Sequence, residues 1–124
     1  MTPLATLRSV VLDCPDPRAL AGFYRQLLGG EITKDEDDWV SLRGEPDVRL
    51  SFQKADDYQP PDWPGAERPQ QFHIDVTVDD VDEAERRVLA LGARKHAVQP
   101  GEQWNWRVYL DPAGHPFCLC WDWD

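Results

Sequence analysis

The residues with chemistry to offer gather on the polar side of two short stretches. Between Gln71 and Asp80 the chain alternates, with Phe72, Ile74, Val76 and Val78 on one side and His73, Asp75 and Thr77 on the other. Period two over this length predicts a strand with one packed face and one face turned to a polar space. Cys118 and Cys120 repeat the spacing near the C-terminus. A Cys–His pair within hydrogen-bond reach supports nucleophilic chemistry. His73 and Cys118 would also make half of a tetrahedral zinc site, to be completed by Asp75 or Asp13. The plainer alternatives are a hydrogen-bonded strand histidine and a cysteine packed as a small hydrophobe. His96 and His115 read as a surface residue and a turn residue.

Strand 71–78 runs straight into a helix over 81–91, capped by Asp79 or Asp80 and ended by Gly92. The same unit occurs once before. Strand 7–14 puts Val10, Leu12 and Cys14 on one face and Ser9, Val11 and Asp13 on the other. Asp16-Pro17 then opens a helix with a capping side chain and a first-turn proline, and Gly29-Gly30 stops it. Strands over 31–34, 39–43 and 48–54 follow. From 55 to 69 the periodicity lapses in a proline-rich linker whose Tyr58 and Trp63 should pack on something. Strands over 94–98, 104–110 and 116–121 complete the chain, the last two joined by the turn Asp111-Pro112-Ala113-Gly114.

Both halves therefore read β-α-β-β-β, an internal duplication. Its alignment sets Gly29 on Gly92 and Val40-Ser41-Leu42 on Val108-Tyr109-Leu110. The fold class expected is α+β in a single domain. Two paired modules, about 5–54 and 70–122 with a linker at 55–69, would form a curved, mostly antiparallel sheet, cupped on one side and carrying the helices on the other. Parity places Ser9, Ser41 and Ser51 on the cup side, and there the ligand-binding residues expected are Trp39, Arg49, Gln53, His73, Asp75, Arg107, Tyr109 and Cys118. Of the six tryptophans, Trp39, Trp63, Trp104 and Trp106 are candidates for the cup wall or a dimer seam. Trp121 should lie under a helix, with the tail Trp121-Asp122-Trp123-Asp124 pinning the C-terminus.

A chain of 124 residues that is 41% apolar and 29% charged can bury one core. Its formal charge of −10 argues against nucleic acid, which selects clustered Lys and Arg, and favours solubility and encounter with cations. No apolar run nears the ~20 residues a membrane span needs, and the N-terminus has no signal-peptide character. Three cysteines is an odd count, with Cys118 and Cys120 badly placed for a bridge, which fits reduced thiols in a cytoplasm.

Cys14-Pro15-Asp16-Pro17 leading into Phe23-Tyr24 and Leu28-Gly29, together with Leu110-Asp111-Pro112-Ala113-Gly114-His115-Pro116-Phe117, resembles the vicinal-oxygen-chelate superfamily. That superfamily includes glyoxalase I, extradiol dioxygenases, and fosfomycin- and bleomycin-resistance proteins. The resemblance spans nearly the whole chain and is strongest to the glyoxalase-like subgroup common in bacteria. It implies a homodimer, and metal ligands in the first and last strand of each module. Those positions fall on Ser9, on or beside Arg49, on His73 and on Cys118, so only His73 carries an expected ligand. An arginine there sets a permanent positive charge against a metal, and Mn, Fe or Ni wants three or more N/O ligands. No metal cofactor is therefore expected; the other case is Zn, Mn, Fe or Ni held through His73. The function expected is metal-independent binding of a small aromatic or cationic molecule, as in drug-sequestering resistance proteins. The alternatives are a metal-dependent lyase, isomerase or dioxygenase of the glyoxalase type, and a partner-binding module using the same surface.

Overall fold

The structure, a computed structural model, describes residues 3–122, so Trp123 and Asp124 and their expected pinning role lie outside it. Contacts divide the chain into a first unit up to Tyr58 and a second from Gln59. The first unit holds β1 (Val10–Cys14), α1 (Pro17–Leu28), β2 (Glu31–Asp35), β3 (Trp39–Gly44) and β4 (Val48–Lys54). The second holds β5 (Ile74–Thr77), α2 (Val81–Ala90), β6 (Arg94–Lys95), β7 (Trp106–Leu110) and β8 (Pro116–Cys120). The protein is α+β, and each unit is one β-α-β-β-β module. Strand order repeats as well: β1-β4-β3-β2 in one four-stranded sheet and β5-β8-β7-β6 in the other. In each sheet the outer pair made by the first strand is parallel and the other two are antiparallel.

In the first unit Asp16 accepts from the Ala19 amide and caps α1, whose Pro17 gives up no helical hydrogen bond. Leu20, Ala21, Phe23 and Tyr24 are buried against Leu12, Val40, Leu42, Leu50 and Phe52. Tyr24 stacks on Phe52 at 5.7 Å and meets Phe23 edge-on at 5.1 Å. Each such side chain stabilises the unit by about 1.5–3 kcal/mol relative to exposure. In β2 the register slips between Ile32 and Lys34, a bulge at Thr33. Ile32 opposes Leu42 on the helix side, and the extra residue brings Lys34, rather than Thr33, opposite Ser41 on the open side.

In the second unit Asp80 caps α2 by accepting from the Glu83 amide. Between β7 and β8 the buried Asp111 accepts from the Ala113 and His115 amides at 2.9 and 3.0 Å, and Gly114 turns the chain at φ 90° with Pro60 close against it. The first strand of each module is shorter than the alternation predicts. Extending β5 to His73 would pair it with Pro116, which has no N–H to give a ladder. Phe72, expected on the packed face, is consequently 58% exposed. Residues 101–105 form turns in place of the start of the strand expected at 104, because the Trp104 and Trp106 amides both bond back to the Gly101 carbonyl.

The ladders also correct the internal alignment. Ser51 pairs with Ser41 and Val11, while Cys118 pairs with Val108 and Asp75. The equivalent strands are therefore Trp39-Val40-Ser41-Leu42 and Trp106-Arg107-Val108-Tyr109, one residue away from the match expected on Val108-Tyr109-Leu110. A one-residue slip exchanges the two faces of a strand. Arg107 and Tyr109, expected among the ligand-binding residues, lie instead on the side covered by α2. Tyr109 is fully buried, stacks on Phe117 at 5.7 Å, and donates its hydroxyl to Glu85 of α2 at 2.7 Å. Arg107 Nη1 lies 3.1 Å from Asp82 and 3.6 Å from Glu85, with its guanidinium over Trp121. Trp121 thus sits on the helix side, as parity predicted.

Candidate functional site

The open side of the second sheet is built from Val108 and Cys118, which face each other across β7 and β8 and pack with Cys120 beneath Trp63 and Trp106. Above this floor is a cleft of about 270 Å³ lined by Trp63, Trp106, Pro116 and Gln70, with His73 and Asp75 completing the wall. Trp106 reaches it by lying flat against Gly101, where a β-carbon would enter the indole ring. Trp63 arrives from the proline-rich loop and is fixed by His96, whose Nε2 is 2.8 Å from the Trp63 carbonyl and whose ring meets the indole edge-on at 5.1 Å. His96 is therefore a half-buried positioning residue and not the surface residue expected. His115 is a turn residue. Trp104, a candidate for the wall, is 71% exposed.

His73 Nε2 lies 3.2 Å from Asp75 Oδ1, and one ligand atom from each of His73, Asp75 and Cys118 falls within 4.8 Å of the others. Cys118 is buried, and that desolvation, reinforced by the Asp75 charge and hydrogen bond, pushes its thiol up to about 12. Cys120 is pushed up to about 11 by the same burial and the same carboxylate. Burial thus disfavours in both residues the thiolate that nucleophilic attack requires. Gln70 carries a buried amide oxygen with no hydrogen-bond partner among the described residues. A buried acceptor left unmatched costs free energy that a ligand donor would recover.

The first sheet has a different open side. At the places equivalent to Cys118, Val108 and His73 it carries Ser51, Ser41 and Ser9. These join in one chain: Trp39 Nε1 donates to Ser41 at 3.0 Å, and Ser51 bonds Ser41 at 3.2 Å and Ser9 at 2.8 Å. Trp39 and Arg49 line a cleft of about 450 Å³ over this floor. Gln53 is exposed beside Trp39 in the ladder and is not among the residues lining that cleft.

The register also relocates the first module's last-strand position, from Arg49 to Ser51. The positions that the resemblance implies thus become Ser9 and Ser51 in the first module and His73 and Cys118 in the second. Two neutral hydroxyls bonded to each other are poor donors to a divalent ion, so Ser9 and Ser51 add little to the N/O set that Mn, Fe or Ni prefers. What the chain does bring together is a nitrogen, an oxygen and a sulfur donor in the second module.

These features fix the class. The glyoxalase-like domain family matches residues 9–120, and the chain belongs to it and so to the vicinal-oxygen-chelate superfamily. Solved structures share the fold. The fosfomycin resistance protein FosX of Listeria monocytogenes, in its hexagonal form, is 18% identical with a TM-score of 0.71, over 98% of this chain and 96% of that one. A glyoxalase/bleomycin resistance protein/dioxygenase family enzyme of Burkholderia phytofirmans PsJN is 18% identical with a TM-score of 0.70, over 94% and 98%. A glyoxalase family protein of Enterococcus faecalis is 18% identical at 0.68, over 94% and 98%. No curated protein matches the sequence with significant similarity. No helix among the described residues is long and apolar enough to cross a membrane.

Proposed function

We propose that the chain binds a small aromatic cation or hydrogen-bond donor in the second module's cleft and makes or breaks no bond in doing so. The observation that carries this reading is the composition of that cleft. Two indole rings and an aliphatic floor surround a few acceptors: the Asp75 carboxylate and the unmatched Gln70 oxygen. Indole faces attract cations, and apolar pockets with a few placed polar groups suit small organic ligands. At about 270 Å³ the space suits a one- or two-ring molecule. The raised pKa of the buried Cys118 thiol argues against covalent chemistry through a thiolate. The test is a thermal-shift and fluorescence screen of aromatic cations and their neutral analogues. Cations should stabilise the protein more than their neutral analogues do, and Asp75→Asn should abolish that preference.

A second reading is favoured by one observation, the convergence of His73, Asp75 and Cys118. Imidazole, carboxylate and thiolate are all zinc donors, and zinc would supply Lewis acidity and hold the thiol deprotonated. Zinc there would suit a metal-dependent lyase or isomerase of the glyoxalase type, whereas a dioxygenase would need a redox-active ion such as iron or manganese in its place. Elemental analysis of protein purified without added metal separates the two: stoichiometric zinc favours the enzyme, and its absence favours capture.

A further inference from the structure

The first module's open side has the opposite electrostatics. Its cleft of about 450 Å³ is lined by four cationic side chains, Arg8, Lys34, Arg43 and Arg49, in a chain whose formal charge is −10. Their placement is not the default of a sheet. Arg43 and Arg49 stand directly opposite each other in the β3–β4 ladder, an arrangement that like charges disfavour. One carboxylate serves both, with Asp47 3.0 Å from Arg43 and 3.7 Å from Arg49. Lys34 reaches the open side through the bulge at Thr33, and its ion pair, with Glu36, is long at 3.8 Å. Arg8 has no ion-pair partner among the described residues, and Glu31, opposite Arg43 in β2, makes none with it. Cationic charge exceeds the carboxylate charge paired with it.

The serine chain adds a donor. Three hydroxyl hydrogens serve two Ser–Ser links, so one remains over. Because Trp39 donates into Ser41, the cooperative direction runs from Ser41 through Ser51 to Ser9. Run in that direction, the chain leaves its spare hydrogen at Ser9, next in sequence to Arg8. Trp39, its N–H engaged with Ser41, leaves its ring face for an aromatic group.

We propose that this cleft binds the anionic group of a small aromatic molecule, a carboxylate or a phosphate ester, with Arg8, Lys34, Arg43 and Arg49 neutralising the charge and the Ser9 hydroxyl donating to it. The first module's residues alone carry this proposal, which stands whether or not the cation reading holds. It is tested by titrating the intact protein with benzoate, phenyl phosphate and, as the cation of similar size, benzylamine, following the Trp39 indole and the Ser9, Ser41 and Ser51 amides by nuclear magnetic resonance. At least one anion should saturate these signals at one per chain, and the preferred anion identifies the group as carboxylate or phosphate. Affinity should fall about tenfold in Arg49→Gln and in Lys34→Gln, the loss of one charge-assisted contact. It should also fall with added salt. Lys34 is an exposed edge residue, so its variant reports binding even if Arg49→Gln perturbs the ladder. The proposal is overturned if neither anion shifts these signals, if benzylamine shifts them as strongly, or if both variants bind as the wild type does.

Discussion

At the scale of single residues, the buried thiols and the network under α2 carry testable consequences. Cys118 and Cys120 are held protonated to about 12 and 11 in the folded state, whereas a thiol in an unfolded chain ionises near ~8.5. Above that lower value the unfolded state binds fewer protons than the folded one, so stability falls as pH rises. Urea denaturation at stepped pH should show this alkaline loss, and Cys118→Val, Cys120→Val should lessen it. Iodoacetamide should label Cys118 slowly at neutral pH; rapid labelling of the native protein, read by mass spectrometry, would mean a thiolate is present. Glu85 behaves in the opposite sense. Burial alone would raise its carboxyl, but the bonds from Tyr109 and Lys95 and the charge of Arg107 outweigh it and hold the carboxyl below the usual range. Its contribution is present above the ordinary glutamate value near ~4.3 and is lost as pH falls through the lower folded one. Glu85→Ala leaves the fully buried Tyr109 hydroxyl and the Arg107 guanidinium, only 15% exposed, without this partner. A cost of about 2 kcal/mol, the loss of hydrogen bonding to a charged group, is expected in the denaturation midpoint analysis.

At the scale of elements, the Asp80 cap positions the network, because α2 presents Asp82 and Glu85 to Arg107. Asp80→Ala should cost about 1 kcal/mol and raise amide exchange in α2 while leaving α1, capped by Asp16, unchanged. Equal loss of protection in both helices would contradict the division into two similar modules. Those modules were legible in the chain before any coordinates. Asp16-Pro17 and the pair Asp79-Asp80 marked the helix starts, the structure choosing Asp80 as the second cap, and alternation in 48–54 gave β4 to the residue. What alternation could not give was the facing of β7. Trp-Arg-Val-Tyr-Leu has no apolar–polar period, since both Arg107 and Tyr109 bury an apolar body while their polar ends reach α2. Matching Trp39 with Trp106 would have set the register correctly, and with it the aromatic wall of each cleft. His73 and Asp75 were legible in the clean alternation around β5, whereas β8 is buried throughout, so Cys118 was placed only by counting on from the turn before it. Gln70 was not legible, because it belongs to the irregular segment before β5, where sequence carries no period.

At the scale of the molecule, duplication has given two sheets of one topology and two floors of different chemistry, hydroxyl in the first module and apolar in the second. The net charge of −10 favours encounter with cations over the whole surface, so rising salt should slow cation association more than it speeds release. If no ion is held, the melting temperature should be the same with and without chelator, since only a ligand of the folded state adds stability by mass action. The most direct test of cation capture is a titration of chelator-treated protein with benzyltrimethylammonium, followed by tryptophan fluorescence. Saturable quenching is predicted in the wild type, with affinity about tenfold weaker in Asp75→Asn and again in Trp106→Ala. Quenching that appears only after zinc is restored, or that both variants leave unchanged, would contradict it.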